Sequence, residues 1–478
     1  MTLTPFSGRS VAPTSKGAAE PARRVSRPVA ARGDGGPRLS PTAATSEPAT
    51  RPHRRPTRGA LLLIGILVAA FALRLALRVA LGEASFWSGY TLFDRLAQSV
   101  VAGDGLRLGP DYFGGASQNW AVRQPLYPLF LAGVYVCGGD WLAIVVLQAV
   151  FGAVVAACGY WLGRRWFGEA AGLLAAAMAA VYPYYALHDT ALQDTGMVDA
   201  GAALALCLLL QARTSRRAWM WLAAGLAAGL IVLIRGTLLP FSAAALVWLA
   251  LAGEGPVRMR WRRAAVAALA CIAAVGVWMA RNEIRVGAPV LSTEIGREFS
   301  DANGPYTFSY YPDRSIDLSA LAAARSLSRA DRQAVSALSE AGRSGWFLRR
   351  GLAYVAAHPA DTLLGAVRKE AAGFSPILNP LRDRLTELAY TASYTPVLLL
   401  GLVGMVMAAR RGWREQSLVW LQFAGFALVT AIFWAATSHR VYLDVYLMVF
   451  AAPVILRAAG WLRARFGGLR SRAAPQPA

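Results

Sequence analysis

Residues 141–165 read WLAIVVLQAVFGAVVAACGYWLGRR. Residues 141–163 carry no charged side chain, and a helix of that length crosses the roughly 30 Å hydrocarbon core of a bilayer. Two arginines then stop the run. Similar apolar windows at 60–82, 170–187, 197–212, 218–234, 236–252, 264–280, 393–409, 417–435 and 442–459 bring the expected number of spans to about ten. The whole composition agrees: of 478 residues 56% are apolar and only 16% charged, below the roughly 25% charged of soluble domains. A soluble enzyme, a disulfide scaffold and a disordered chain are excluded. The expected fold class is an all-α polytopic membrane protein of about ten transmembrane helices. Two outer loop segments of short amphipathic helices complete it.

The formal charge of +22 could suggest nucleic acid, but the arginines sit between apolar blocks, as in loops held at a cytoplasmic membrane face. No nucleic-acid partner is expected. With the first 58 residues placed inside, alternation puts Arg164–Arg165, Arg213/Arg216/Arg217, Arg258/Arg260/Arg262/Arg263 and Arg410/Arg411/Arg414 on the inner side. Residues 188–196 carry Asp189 and Asp194 and no Lys or Arg, and 281–392 are nearly neutral. The alternation requires that 125–138 not span; fourteen residues rise only about 21 Å. That segment reads as an interfacial or re-entrant helix.

Residues 1–58, rich in Pro, Arg, Ser, Ala and Thr, read as a disordered basic cytoplasmic tail. Residues 59–462 form the membrane domain, with a first outer loop at 83–140 and a large one at 281–392. Residues 463–478 read as a second basic tail. In the large loop, Ser328 and Asp331 are spaced as a capping box, with Ala334, Leu338 and Ala341 following at helical spacing. Cys137, Cys158, Cys207 and Cys271 lack metal-ligand spacing and read as small buried hydrophobes. No phosphate-cradling glycine loop, dinucleotide fingerprint or HExxH zinc motif is present.

Ionisable groups at a membrane boundary are costly and invite a functional explanation. On the outer side these are Asp94, Asp104, Asp111, Arg123, Asp189, Asp194, Asp199, Arg235, Arg281, His439 and Arg440. Arginine grips phosphate in a bidentate fork, and a carboxylate can take a proton from an attacking hydroxyl. The combination suits a phosphate-bearing lipid.

The stretch YTLFDRLAQSVVAGDGLRLG (90–109), then RQPLYPLFLAGVYVCGG (123–139) and VVLQAVFGAVVAACGYWLGRRWFG (145–168), resembles the N-terminal third of the GT-C membrane glycosyltransferases. The nearest branch is the protein-mannosyltransferase and RgtA/B/C/D-like one. Matches continue in order through YPYYALHDTALQDTGM (182–197), GLIVLIRGTLL (229–239), WMARNEIRVGAPVLSTEIGREFSDANGP (278–305), HPADTLLGAVRKEAAGF (358–374) and HRVYLDVYLMVFAAP (439–453).

This resemblance implies a multi-pass protein of a bacterial-type inner membrane with its site on the periplasmic or extracellular face. It implies transfer of a hexose or pentose from a polyprenyl-phosphate donor to a glycan, lipid or protein acceptor, with inversion. A first-loop carboxylate acts as base, basic side chains hold the leaving phosphate, and a divalent metal sometimes assists. The family's acid precedes the aromatic of an aromatic-x-x-x-Ala stretch by about four residues. With Phe93 and Ala97 matched, that place is Gly89, and Asp94 becomes the surrogate base; Glu83, Asp104 and Asp111 are the alternatives. Asp194 matches the acid of the second outer loop. Arg123, Arg235, Lys369 and Arg440 are the expected partners of lipid phosphate. Lys369 is one of only two lysines. A transporter or flippase of lipid-linked saccharides is the alternative. Charges gathered at one face favour transfer; a polar line through the bundle favours transport.

Overall fold

The computed structural model describes residues 57–110 and 118–472, apart from the side chains of 411–412 and 467–472. The expected tail lies outside these residues as far as position 56, as do Asp111, Tyr112 and 473–478.

Helix α1 (Arg58–Leu81) starts where the Thr57 hydroxyl accepts the Ala60 N–H at 3.3 Å and stops at Gly82. Only 11% of its most apolar window is buried, yet Arg74 and Arg78 are. Being four residues apart they share one helical face, and that face turns inward. In a bilayer polar groups seek the protein interior and apolar ones face lipid, so α1 sits at the rim of the bundle. Exposed Leu61, Leu62, Ile64 and Val68 on α1, with Leu269, Ile272 and Val277 further along, form part of the lipid-facing surface.

Short helices α2 (Glu83–Trp87), α3 (Thr91–Val101) and α4 (Leu126–Val136) make up most of the first loop. Helix α4 has 11 residues, or about 16 Å of rise, and does not span. Asp140 caps α5 (Trp141–Phe167) through the N–H groups of Leu142 and Ala143. The expected span 170–187 is broken. Helix α6 (Glu169–Val181) ends before Pro183, which opens the separate α7 (Pro183–His188), because proline cannot donate back into a helix. Then come α8 (Thr195–Thr214), α9 (Ala218–Ile234), α10 (Leu239–Ala252) and α11 (Val257–Val286). The large loop carries α12 (Ile295–Ala302), α13 (Ile316–Arg325), α14 (Arg329–Ala337), α15 (Glu340–Ala357) and α16 (Pro359–Gly373). Ser328 caps α14 by accepting the Asp331 N–H at 3.0 Å. The spacing Ala334, Leu338, Ala341 does not lie on one helix. The chain turns extended at Leu338, and Ser339 caps α15 by accepting the Gly342 N–H.

The closing elements are α17 (Arg384–Ile432), α18 (Thr437–Arg440) and α19 (Asp444–Arg472). A straight 49-residue helix would be about 74 Å long, but Tyr390 donates to the Ser375 carbonyl while Phe426 packs on Phe374. The two ends of α17 meet the same turn, so it folds back as two spans, Arg384–Arg410 and Trp413–Ile432. Helix α19 continues through residues 463–472, the start of the expected second tail. Among the described residues seven helical stretches are long and apolar enough to cross a membrane; Glu169–Val181, Ala218–Ile234 and Gly236–Ala252, three of the expected spans, are shorter apolar helices.

Side-chain contacts define two ends. At one, Glu415 receives Arg165 at 3.1 Å and Arg213 at 3.0 Å, and Arg213 also donates to the Ala252 carbonyl. Loops expected on the inner side thus meet one another. At the opposite end the two large loops are joined. The Glu340 carboxylate accepts the N–H groups of Trp120 (2.5 Å) and Ala121 (2.9 Å) and the Thr293 hydroxyl (2.5 Å). Arg281 donates to the carbonyls of Trp120 and Leu106.

Candidate functional site

The turn at 123–124, between Ala121 and α4, carries Arg123. Its guanidinium lies 2.7 Å from Glu294 and 3.9 Å from Glu298, donates to the Tyr90 hydroxyl at 2.8 Å, and covers the Tyr90 ring. Glu298 accepts the Trp434 indole N–H at 2.6 Å, and Trp434 packs on His439. Beside His439, the Ser438 carbonyl accepts from Arg235 at 3.0 Å. Arg235 then grips Asp194 with two bonds of 3.0 and 2.5 Å. A belt of polar contacts thus runs from the first loop across the large loop and the α17–α18 connection to the head of α8. It closes on itself, since Tyr90 N–H donates to the Leu192 carbonyl two residues before Asp194.

Close contacts hold the belt together. A Cβ on Gly236 would stand 2.7 Å from the side-chain nitrogen of Gln124, so the side chain next to Arg123 reaches the turn after Arg235. A Cβ on Gly89 would come within 2.7 Å of the Leu192 carbonyl oxygen. The position where the resemblance places an acid therefore has no room for a side chain in this chain.

Asp94 lies in the first turn of α3, half-buried, and accepts the Tyr135 hydroxyl of α4 at 2.7 Å. It stands one helical turn beyond Tyr90, which belongs to the belt. Of the alternative acids, Glu83 accepts the Trp87 indole, and Asp104 pairs with Arg107 on a surface turn.

Lys369 and Arg440 are placed elsewhere. Lys369 is 1% exposed, with the Asn303 side-chain oxygen at 3.3 Å and the Ala302 and Ile432 carbonyls at 3.4 and 3.5 Å. Burial pushes its ammonium down to about 8. It joins the end of α12 to the end of α17. Arg440, also 1% exposed, pairs with Asp444, donates to the Tyr390 hydroxyl at 2.8 Å and stacks over Tyr394. Each of these cations is already surrounded by acceptors from the protein.

Several charged groups were not anticipated. Arg74 meets Asp189 at 2.7 Å with both side chains fully buried, and Arg78 donates to Thr190 and Ser85. Both were readable as arginines four apart within an apolar run. Asp444 was likewise visible as an acid inside the last apolar block. Glu294 and Glu298 are spaced i, i+4, but lie in a loop read as amphipathic cover. Burial raises the Glu294 carboxyl to about 7; the Arg123 guanidinium pulls it back less strongly. Among the described residues no three His, Cys, Asp or Glu side chains are grouped to hold a metal ion. The divalent ion that the resemblance allows has no ready set of protein ligands there.

Residues 123–278 match the family model described as dolichyl-phosphate-mannose-protein mannosyltransferase. The resemblance to the GT-C membrane glycosyltransferases is shown over that third of the chain. No curated protein matches the sequence. Among solved structures, the apo oligosaccharyltransferase of Archaeoglobus fulgidus is similar with a TM-score of 0.48 and 14% identity, over 87% of this chain and 52% of that one. The Archaeoglobus fulgidus oligosaccharyltransferase AglB, in complex with an inhibitory peptide and a dolichol-phosphate, gives 0.47 and 14% over the same shares. ArnT from Cupriavidus metallidurans, bound to undecaprenyl phosphate, gives 0.36 and 15%, over 87% of this chain and 80% of that one. The chain spans about half the length of the archaeal oligosaccharyltransferase chains it matches.

Proposed function

We propose that this protein transfers a sugar from a polyprenyl-phosphate donor to an envelope glycan, glycolipid or protein, with inversion, at the outer face of a bacterial-type inner membrane. The observation that carries the reading is the polar belt at one end of an apolar bundle. A lipid-linked substrate needs its tail in the bilayer and its phosphate and sugar where charged groups and water meet. The family model over 123–278 is named for a donor of that chemistry. Against the alternative of a transporter or flippase stands the gathering of Arg123, Asp194 and Arg235 at one end.

Of the two candidate acids, Asp94 suits the base better. A general base needs a free lone pair within reach of the acceptor hydroxyl. Asp194 spends both oxygens on Arg235, whereas Asp94 gives one to Tyr135 and is half-exposed. The role proposed for Asp194 is to aim Arg235. Arg123 and Arg235 are the proposed phosphate partners, stabilising charge that develops on the leaving group. Lys369 and Arg440 keep a supporting role in this proposal, holding the loop helices and the last span that frame the belt.

Arg123 must leave Glu294 to take a phosphate. The Glu294 carboxyl is raised from its ordinary 4.5 to about 7. Any stability this group contributes is therefore full below pH 4.5 and lost as pH rises through about 7. Its grip on Arg123 changes in the opposite sense, being that of a charged pair only above about 7. A lipid phosphodiester stays anionic throughout. Donor affinity should therefore be greater at pH 6 than at pH 8, by up to about tenfold, and Glu294→Gln should flatten the dependence. Titration of the purified protein with a polyprenyl-phosphate sugar measures this; an unchanged slope in the variant would refute the exchange.

Orientation is tested by reporter fusions at Arg216 and Leu338, which should report opposite sides, Leu338 outside. Activity is tested by incubating purified protein with polyprenyl-phosphate sugars and by mass spectrometry of envelope glycolipids and glycoproteins from a deletion strain. Loss of one sugar from one class of molecule names sugar and acceptor together. Turnover from a nucleotide sugar alone would overturn the reading.

A further inference from the structure

At the end of the bundle opposite the Asp194–Arg235 pair, a cavity of about 760 Å³ opens between α5, α6, α17 and α19. Arg165, Arg410 and Arg457, from three different helices, line it together with Glu415 and Gln416. The single acid is already engaged: Glu415 accepts from Arg165, from Arg213 and from the Trp166 indole. Arg410 and Arg457 are exposed and have no acid of this cavity left to balance them. Gln416 is 5% exposed, and its side-chain oxygen has no hydrogen-bond donor. Such an oxygen is costly unless something supplies one. The rest of the wall is apolar, with Met407 39% and Leu456 38% exposed.

We propose that this cavity binds the headgroup of an anionic, hydroxyl-bearing diacyl phospholipid of the adjoining leaflet, phosphatidylglycerol being the simplest such molecule. Arg410 and Arg457 flank one space with no acid of the cavity to offset their charge, and guanidinium suits phosphate. Basic pockets between spans on the cytoplasmic side take anionic headgroups for this reason. The headgroup hydroxyl supplies the donor that the Gln416 oxygen lacks, and the phosphate sits between Arg410 and Arg457. The acyl chains run along Met407 and Leu456 into the bilayer. The inference is independent of the sugar-transfer reading, because the site lies at the other end of the bundle and shares no residue with the belt.

Native mass spectrometry of the full chain in detergent tests it, with dioleoyl-phosphatidylglycerol, dioleoyl-phosphatidic acid, dioleoyl-phosphatidylcholine and undecaprenyl phosphate as probes at equal concentration. Phosphatidylglycerol should be retained at least tenfold over phosphatidylcholine. Arg410→Ala with Arg457→Ala should reduce its retention to the phosphatidylcholine level, while lysine at both positions keeps most of it. Both residues are exposed, so folding is not at stake. Arg463→Ala with Arg465→Ala, on exposed positions further along α19 and outside the cavity, should leave retention unchanged. Gln416→Ala should weaken phosphatidylglycerol more than phosphatidic acid, which has no headgroup hydroxyl beyond its phosphate. Equal retention of phosphatidylcholine, equal loss in the Arg463/Arg465 variant, or preferential retention of undecaprenyl phosphate would overturn the proposal.

Discussion

Asp94→Asn should lower sugar transfer by about 10²- to 10⁴-fold, the usual contribution of a general base, with expression and folding near normal. The amide keeps the shape of the carboxylate and can still accept the Tyr135 hydroxyl, now 2.7 Å away. It cannot take a proton from the acceptor. Asp94 is half-buried in the first turn of α3, where a carboxylate gains only modestly from the helix dipole, about 0.3–1 kcal/mol. Its neutralisation therefore costs little stability. Tyr135→Phe separates the two effects: it removes the hydroxyl that orients Asp94 and leaves the base in place, so its loss of rate should be smaller by at least tenfold. Turnover of purified variants with a polyprenyl-phosphate sugar, beside their thermal midpoints, reads both outcomes. Full activity of Asp94→Asn would move the base to Glu83, Asp104 or Asp111.

The membrane architecture was legible because it rests on runs of one residue class. The charge-free stretch 141–163 and the arginines that follow it sufficed to place a span and its end, which the structure has as α5. The contact of Glu415 with Arg165 and Arg213 bears out the grouping of those loops. The break within 170–187 was also written in the chain, as Pro183, but one proline barely lowers the mean apolarity of so long a run. The pairing of charges could not be read in the same way. Arg440 is a boundary arginine by position, and its choice of Asp444 and Tyr390 over the exterior follows from tertiary packing. The same holds for Lys369, which the ends of α12 and α17 enclose. Gly89 could be identified as a departure from the family pattern, whereas its cause, the Leu192 carbonyl pressed against it, depends on a loop a hundred residues further on. Arg74 and Arg78 were within reach, because two arginines on one face of a lipid-bounded helix require partners inside the bundle.

Asp194→Ala should destabilise the protein by about 3–5 kcal/mol, the cost of leaving one member of a buried ion pair without its partner. Both side chains of the Asp194–Arg235 pair are 12% exposed. Removing the carboxylate takes away the direct partner of the Arg235 guanidinium and leaves it the Ser438 carbonyl and the more distant charge of Asp199. Arg235 adopts an extended conformation between α9 and Gly236, and its side chain is only 12% exposed. Solvent therefore cannot readily reach the stranded cation. Asp194→Leu with Arg235→Met removes both charges and should recover most of that stability, since apolar replacement of a buried pair is often near neutral. With the wild type and the single variants Asp194→Leu and Arg235→Met, it completes a double-mutant cycle, read by unfolding in detergent. Activity separates a structural pair from a working one: the double variant should regain its thermal midpoint and still fail to transfer sugar, because no arginine remains there to meet the leaving phosphate. A double variant that regains both would show that the pair serves the fold alone and would leave Arg123 to carry the phosphate.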